Sequence, residues 1–374
     1  FDSKSSEVAD IYIQAERLRA SSTSFMLFTF LTAIGLILWY GGYQVIHGHM
    51  TPGDLAQFIF YLQILAMPVR MSGWLVNSYA RAASAGERMF EILDLKSPVQ
   101  ESENAIDLPR PKGHVRFEDV SFSYDSGTPV LTNINIDAKP GEIIALLGAP
   151  GSGKSTIISL LPRFYDATAG QITIDGVDIK DYTLKSLRNH VGVVQQDVFL
   201  FTTSLRDNIA YGREDASDED IRQSADIAQM KGFIESLDDG YETPVGERGS
   251  TLSGGQRQRM SIARALLLDP PVIVLDDSTS SVDAQTEDDI KRAMESVMEG
   301  RTTFVIANRL STVHRADRII VLEGGRIAEE GTHSELLTMN GHYREIYELQ
   351  LRPQDEVFRE IEVASTIAPS EASS

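Results

Sequence analysis

Gly148, Gly151 and Gly153 precede Lys154, Ser155 and Thr156 in the run GAPGSGKST, which fits the spacing G-x-x-x-x-G-K-[ST]. Glycine at these places leaves room for backbone N–H groups, that of Ser152 among them, to converge on phosphate oxygens with no Cβ in the way. Lys154 supplies a point charge for β and γ phosphates, and Ser155 a hydroxyl for Mg²⁺. Thr156 completes the set expected to bind the nucleotide. The apolar run Glu142 to Leu147 reads as a strand buried on both faces of a parallel sheet. A helix opening near Gly153 aims its positive dipole end at the same anion.

Two further runs add chemistry. In VIVLDD an apolar strand, Val272 onward, delivers Asp276 to a sheet edge, a place from which such a carboxylate holds Mg²⁺ through water. In Leu252-Ser253-Gly254-Gly255-Gln256, small residues stand ahead of a helix starting near Arg257, a second backbone site for an anion. One nucleotide cannot easily touch both glycine loops of one chain if the second belongs to a separate helical lobe.

The elements that must position these residues fall into two parts. Residues 1–95 read as membrane-type helices, with apolar spans at about 23–47 and 54–80. Phe25 to Ile46 holds 22 residues without a charge, roughly 33 Å as a helix and enough to cross a bilayer core. Trp39, Tyr40 and Tyr43 fit an interfacial belt near its far end. The second run passes through Pro68 and is broken by Gln57, Gln63 and Asn77. Lys and Arg are missing from Ser21 to Val69, while Arg17, Arg19, Arg70, Arg81 and Arg88 flank that interval; the positive-inside rule puts both ends in the cytoplasm. His47 and His49 in the tip lack a third ligand and carry no metal claim.

Residues 96–113, rich in Pro and charge, read as a linker. From about His114 to Leu351, alternating strands and helices predict an α/β domain with a mostly parallel sheet and an antiparallel rim. Asp175-Gly176 marks a hairpin. The stretch 200–266 turns helical, with Ser217 and Asp220 at helix-capping spacing. The tail 352–374 has little to bury and reads as disordered. The formal charge of −20 argues against nucleic acid as a partner. Without cysteine, neither disulfides nor thiolate metal sites can form. A chain that starts at Phe1 reads as a piece of a longer one.

Together these motifs resemble the ATP-binding cassette (ABC) transporters, and specifically exporter halves in which membrane helices and cassette share one polypeptide. The resemblance implies a P-loop NTPase cassette with a helical subdomain, ATP and Mg²⁺ as cofactors, and a multi-pass location in the cell membrane with the cassette in the cytoplasm. It implies that Tyr124 stacks on adenine, that Gln196 reaches Mg²⁺ and links to the membrane domain, and that Thr243 to Gly249 (TPVGERG) is the exporter-type coupling loop. Ser253 and Gly255, with Gly254 and Gln256 beside them, would contact the γ-phosphate held by an opposing cassette. Asp283 would cross that dimer interface.

The chain also departs from the family. Exporter halves carry six membrane helices, and the two here resemble the fifth and sixth. After the Mg²⁺-binding Asp the family has Glu, which orients the attacking water; here it is Asp277, one methylene shorter. Where the family's switch histidine stands, Asn308 can donate a neutral hydrogen bond but cannot become an imidazolium. Both changes fall on one hydrolytic site, which resembles the degenerate partner in a heterodimeric exporter. The expectation is a subunit that drives a hydrophobic or amphipathic solute (drug, lipid or peptide) outward beside a second half-transporter. A homodimeric exporter with slow hydrolysis, or a soluble ABC-type ATPase acting on ribosomes or DNA, are the alternatives.

Overall fold

A computed structural model describes residues 2–124, 127–195, 197–213, 215–276 and 284–352. They divide into two compact units, residues 1–96 and 97–374. The first unit is a helical hairpin of α1 (Asp2–Ile46) and α2 (Pro52–Leu93), both long and apolar enough to cross a membrane. Each helix outruns its apolar span, because nothing in the polar residues 2–22 or 81–93 interrupts the helical pattern. Thr51 and Asp54 start α2 with a reciprocal capping box, and Pro68 sits inside it. Gly41 lets the two helices meet closely, since a Cβ there would lie 2.4 Å from Leu55 Cδ1. Phe25, Leu31, Trp39, Trp74 and Leu75 turn their apolar surface outward.

The second unit is the α/β domain. A six-stranded sheet at its centre has the order β10-β9-β3-β8-β7-β6. Its strands are β3 (Ile143–Leu147), β6 (Val191–Val194), β7 (Val272–Asp276), β8 (Thr302–Ile306), β9 (Arg318–Glu323) and β10 (Arg326–Gly331). All neighbours run parallel except β9 and β10. The expected antiparallel rim is, for the rest, a separate four-stranded sheet, β2-β1-β4-β5. It comprises β1 (Val115–Ser123), β2 (Pro129–Ala138), β4 (Ala169–Ile174) and β5 (Val177–Asp178). β1 and β2 alternate buried with more exposed residues, so one face stays wet and the other packs down. The β4–β5 hairpin turns at Asp175 and Gly176, both at positive φ.

Successive residues of β3 point to opposite faces of the central sheet. Ile144 and Leu146 join a core with the four-stranded sheet and α3 (Lys154–Leu160), through Phe117, Leu131, Ile157 and Leu160. Ala145 and Leu147 join a second core under the helices α5 (Leu205–Ala210), α6 (Asp218–Ile227), α7 (Lys231–Glu235), α8 (Gly254–Leu267) and α9 (Ala284–Met298). Ser217 and Asp220 form the capping box that opens α6.

The linker is not loose. Val99 and Leu108 are buried, Ile106 bridges Tyr182 in parallel, and the Leu108 N–H donates at 2.9 Å to Oγ of Ser186, on α4 (Leu184–His190). Its Pro and charge content hid bonds that reach some 80 residues along the chain.

Candidate nucleotide-binding site

β3 ends at Leu147 and the chain turns sharply into the phosphate loop. Gly148 lies at φ 143°, where a Cβ would meet the Leu322 carbonyl oxygen at 2.3 Å. Gly153, the N-cap of α3, lies at φ 107°, and a Cβ there would meet Leu131 Cδ2 at 2.5 Å. Gly151 is at φ 80° with open space beside it. The backbone is thus drawn where only glycine passes, which fits a cradle that brings N–H groups to a phosphate. Lys154 Nζ donates to the Gly148 carbonyl at 2.7 Å and the Ala149 carbonyl at 3.1 Å, bridging the mouth of the loop. Burial holds its ammonium below the usual lysine range, and the Asp276 carboxylate works the other way. Ser155 is exposed, whereas Ser152 and Thr156 are buried. Ser152 Oγ, buried within the loop, has no hydrogen-bond partner among the described residues.

Register explains why Asp276 is near. Leu146 of β3 pairs with Ile306 of β8, and Ile306 pairs in turn with Asp276 of β7. The phosphate loop, Asp276 and the exposed Asn308, which follows β8, therefore leave the sheet at one carboxyl edge. Ligands of open α/β sheets bind outside that edge. Gln196, Asp277 and Asp283 lie outside the described residues, as does the tail from residue 353.

Tyr124 ends the aromatic run after β1. Its hydroxyl is 3.3 Å from Thr156 Oγ1, and its ring meets those of Phe122 and Tyr165 edge-on at 4.7 and 5.2 Å. Tyr165 was not singled out in the sequence. Its only signal was an aromatic pair, Phe164-Tyr165, just after α3.

The Ser253–Gln256 turn is the start of α8 itself. The helix begins at Gly254, three residues earlier than expected, because Ser253 and Gln256 cap each other. Ser253 N–H donates to Gln256 Oε1 at 2.8 Å, and Gln256 N–H to Ser253 Oγ at 3.3 Å. Arg257 Nη1 donates to the Leu252 carbonyl at 2.7 Å and fixes the turn from behind. Ser253 and Gly254 stay exposed, Gly255 buried. Further along α8, buried Arg259 pairs with Asp289 at 2.6 Å. Arg264 lies over the Phe201 and Tyr211 rings and donates to the Asn208 carbonyl.

The segment Thr243 to Gly249 is pinned to the start of α5. Leu205 N–H donates to the Thr243 carbonyl at 3.0 Å, and Val245 N–H to the Thr203 carbonyl at 2.8 Å. Arg248 and Gly249 then turn at positive φ.

The family model described as ABC transporter matches residues 131–280, from β2 to just past Asp276. The chain carries the ATP-binding domain of an ABC transporter. In this ABC chain that domain follows two helices that could span a membrane. The chain is 43% identical over 361 residues to the ATP-dependent lipid A-core flippase of Syntrophus aciditrophicus (strain SB), an alignment covering 96% of this chain and 60% of the flippase. It is also 43% identical over 337 residues to a beta-(1→2)glucan export ATP-binding/permease protein of Rhodopseudomonas palustris (strain BisB18), covering 90% of this chain and 54% of that protein. A solved bacterial Atm1-family ABC exporter with ATP bound is 39% identical and superposes with a TM-score of 0.68, covering 87% of this chain and 56% of that one. The ABC chain thus spans between 54% and 60% of the length of the two curated relatives.

Proposed function

We propose that this chain is one subunit of an ABC exporter that binds ATP and Mg²⁺ and drives a hydrophobic or amphipathic solute outward across a cell membrane, beside a second half-transporter. One observation carries the reading: α3 and α8 cover opposite faces of the same sheet. A single nucleotide cradled at the start of α3 cannot also sit on the Ser253–Gln256 turn, so that turn is built for a nucleotide held by another cassette. The relative named for lipid A-core export supports the class of cargo, whereas the one named for glucan, a hydrophilic polysaccharide, does not.

Within this reading, residues 1–95 cross the membrane and residues 114–351 form the cassette on the cytoplasmic side, with the helical subdomain at 200–266. Ser155, Gln196 and Asp276 would hold Mg²⁺, and Tyr124, its edge braced by Tyr165, would stack on adenine. Lys154 and the loop N–H groups would orient the phosphates, whose charge a bound Mg²⁺ would help to neutralise. Gln196 and the Thr243–Gly249 loop connect closure of the cassettes to the membrane helices.

The subunit's own hydrolytic site is weak, and the partner is a different chain. Asp277 is one methylene shorter than the Glu that family members carry there, and displacements near 1 Å cost about 10²-fold in rate. Asn308 stands on the correct edge but lacks the positive charge of an imidazolium. In the full-length transporter, Asp277→Glu combined with Asn308→His should raise phosphate release by this site about 10²-fold. Rapid ATP turnover by the unpartnered subunit, unchanged by Asp277→Asn, is the result that sinks the degenerate site.

A further inference from the structure

The first residues of the second unit, 97–113, are tied to the ends of two helices that matter for nucleotide chemistry, and they reach both from behind. The Gln100 carbonyl accepts from Arg163 Nη2 at 2.8 Å. Arg163 follows α3 by three residues and is only 3% exposed. Its Nε donates to Asp166 at 2.7 Å, so the guanidinium is held from two sides. Ten residues further along, Arg110 Nη2 donates to Asp269 Oδ2 at 2.5 Å. Asp269 follows α8 by two residues, at φ 45°, with its N–H on the Leu266 carbonyl. Its other oxygen, Oδ1, accepts from Arg301 Nη2 at 2.9 Å, just ahead of β8. Partial burial works to raise the Asp269 carboxyl, but the Arg110 and Arg301 hydrogen bonds hold it below the usual carboxylate range. Gly113 closes the segment, its carbonyl accepting from Thr302 Oγ1 at 2.6 Å.

We infer that residues 97–113 are a strap joining the rear ends of α3 and α8, and that Asp269 is a positioning residue that sets the signature turn of α8 through it. α3 carries the phosphate loop at its front end and α8 carries Ser253–Gln256 at its own. A helix is stiff over 14 residues, so displacement at its rear is carried to its front. The strap starts four residues after α2 ends, so the chain that leaves that helix is first tied into the α/β domain at Gln100 and Arg110. A plain linker needs none of these ties. Asp269 holds two arginines from segments about 160 and 32 residues away, and an arginine pair on one carboxylate fixes direction as well as distance.

The inference rests on the exporter reading above, and the experiment separates the two. In the full-length transporter with its partner subunit, Asp269→Asn keeps the residue's size and its tolerance of a positive φ while removing the charge. It should lower kcat for ATP between about twofold and thirtyfold, with KM and the thermal midpoint unchanged, because the signature turn acts only when the cassettes close. Arg110→Ala, a change at an exposed side chain, should give a smaller loss of the same kind. The double variant should be no worse than Asp269→Asn alone, since both break one contact. Hydrogen exchange at the amides of residues 255–258 should accelerate in Asp269→Asn while those of α5 hold. Unchanged kcat and unchanged exchange, or additive losses that follow a fall in the thermal midpoint, overturn the strap. A wild-type transporter that turns over no ATP with any partner counts against the exporter reading, and the exchange measurement then decides the strap alone.

Discussion

At Gly148 an added Cβ would sit 2.3 Å from the Leu322 carbonyl oxygen, at a φ of 143°, whereas at Gly254 the nearest atom it would meet is Arg257 Nη2, 4.0 Å away. The first glycine is demanded by the fold of its own chain, because its α-carbon is wedged between the Leu322 carbonyl of β9 and Ser152 Oγ of the same loop. The second sits in ordinary helical backbone, with space before it. Among the described residues no neighbour requires glycine at 254, so that face of the turn is open. This contrast fits a phosphate loop that encloses its nucleotide and a signature turn that is offered to another subunit's.

The contrast can be broken in three ways. Gly148→Ala combines backbone strain with a clash against a carbonyl, and should lower stability by about 3 kcal/mol. ATP binding should vanish with it; a thermal melt and nucleotide titration close to wild type would show that the loop has room to spare. Gly254→Ala should leave the melt and the chain's own ATP affinity intact, while turnover of the assembled transporter falls about tenfold or more, as an extra methyl in a fitted pocket does. Loss of ATP affinity at the chain's own loop would instead place both turns on one nucleotide. Ser253→Ala removes one half of the cap and should cost about 1 kcal/mol of stability, read as a small fall in the urea midpoint; no fall would mean that Arg257 holds the turn unaided.

What the sequence made legible was local. The phosphate loop, its strand and its helix lie within twenty residues, and glycine spacing alone encodes the φ values that the loop adopts. Strand Val272–Asp276 was legible for the same reason, as an unbroken apolar run ending in a carboxylate. Partner choice between strands was not. The alternation of β1 and β2 announces a sheet with one wet face, but only pairing with β4, some 50 residues on, makes it a sheet of its own. The start of α8 was missed by three residues because two glycines read as loop, although Ser253 and Gln256 already stood at capping-box spacing. The strap was misjudged most. Its prolines and charges resemble a tether, and its ties to Arg163 and Asp269 depend on contacts that no local pattern reveals.

Pro68 lies inside α2 without ending it. Proline has no N–H to give, so the Ile64 carbonyl one turn earlier loses its ordinary partner, and the ring crowds that same turn. Resistance to bending is therefore lowest there, and the helix is a rod with one built-in elbow rather than a uniform spring. A load along such a rod is met first by bending at that turn, so the stretch from residue 69 to 93 pivots there as one piece.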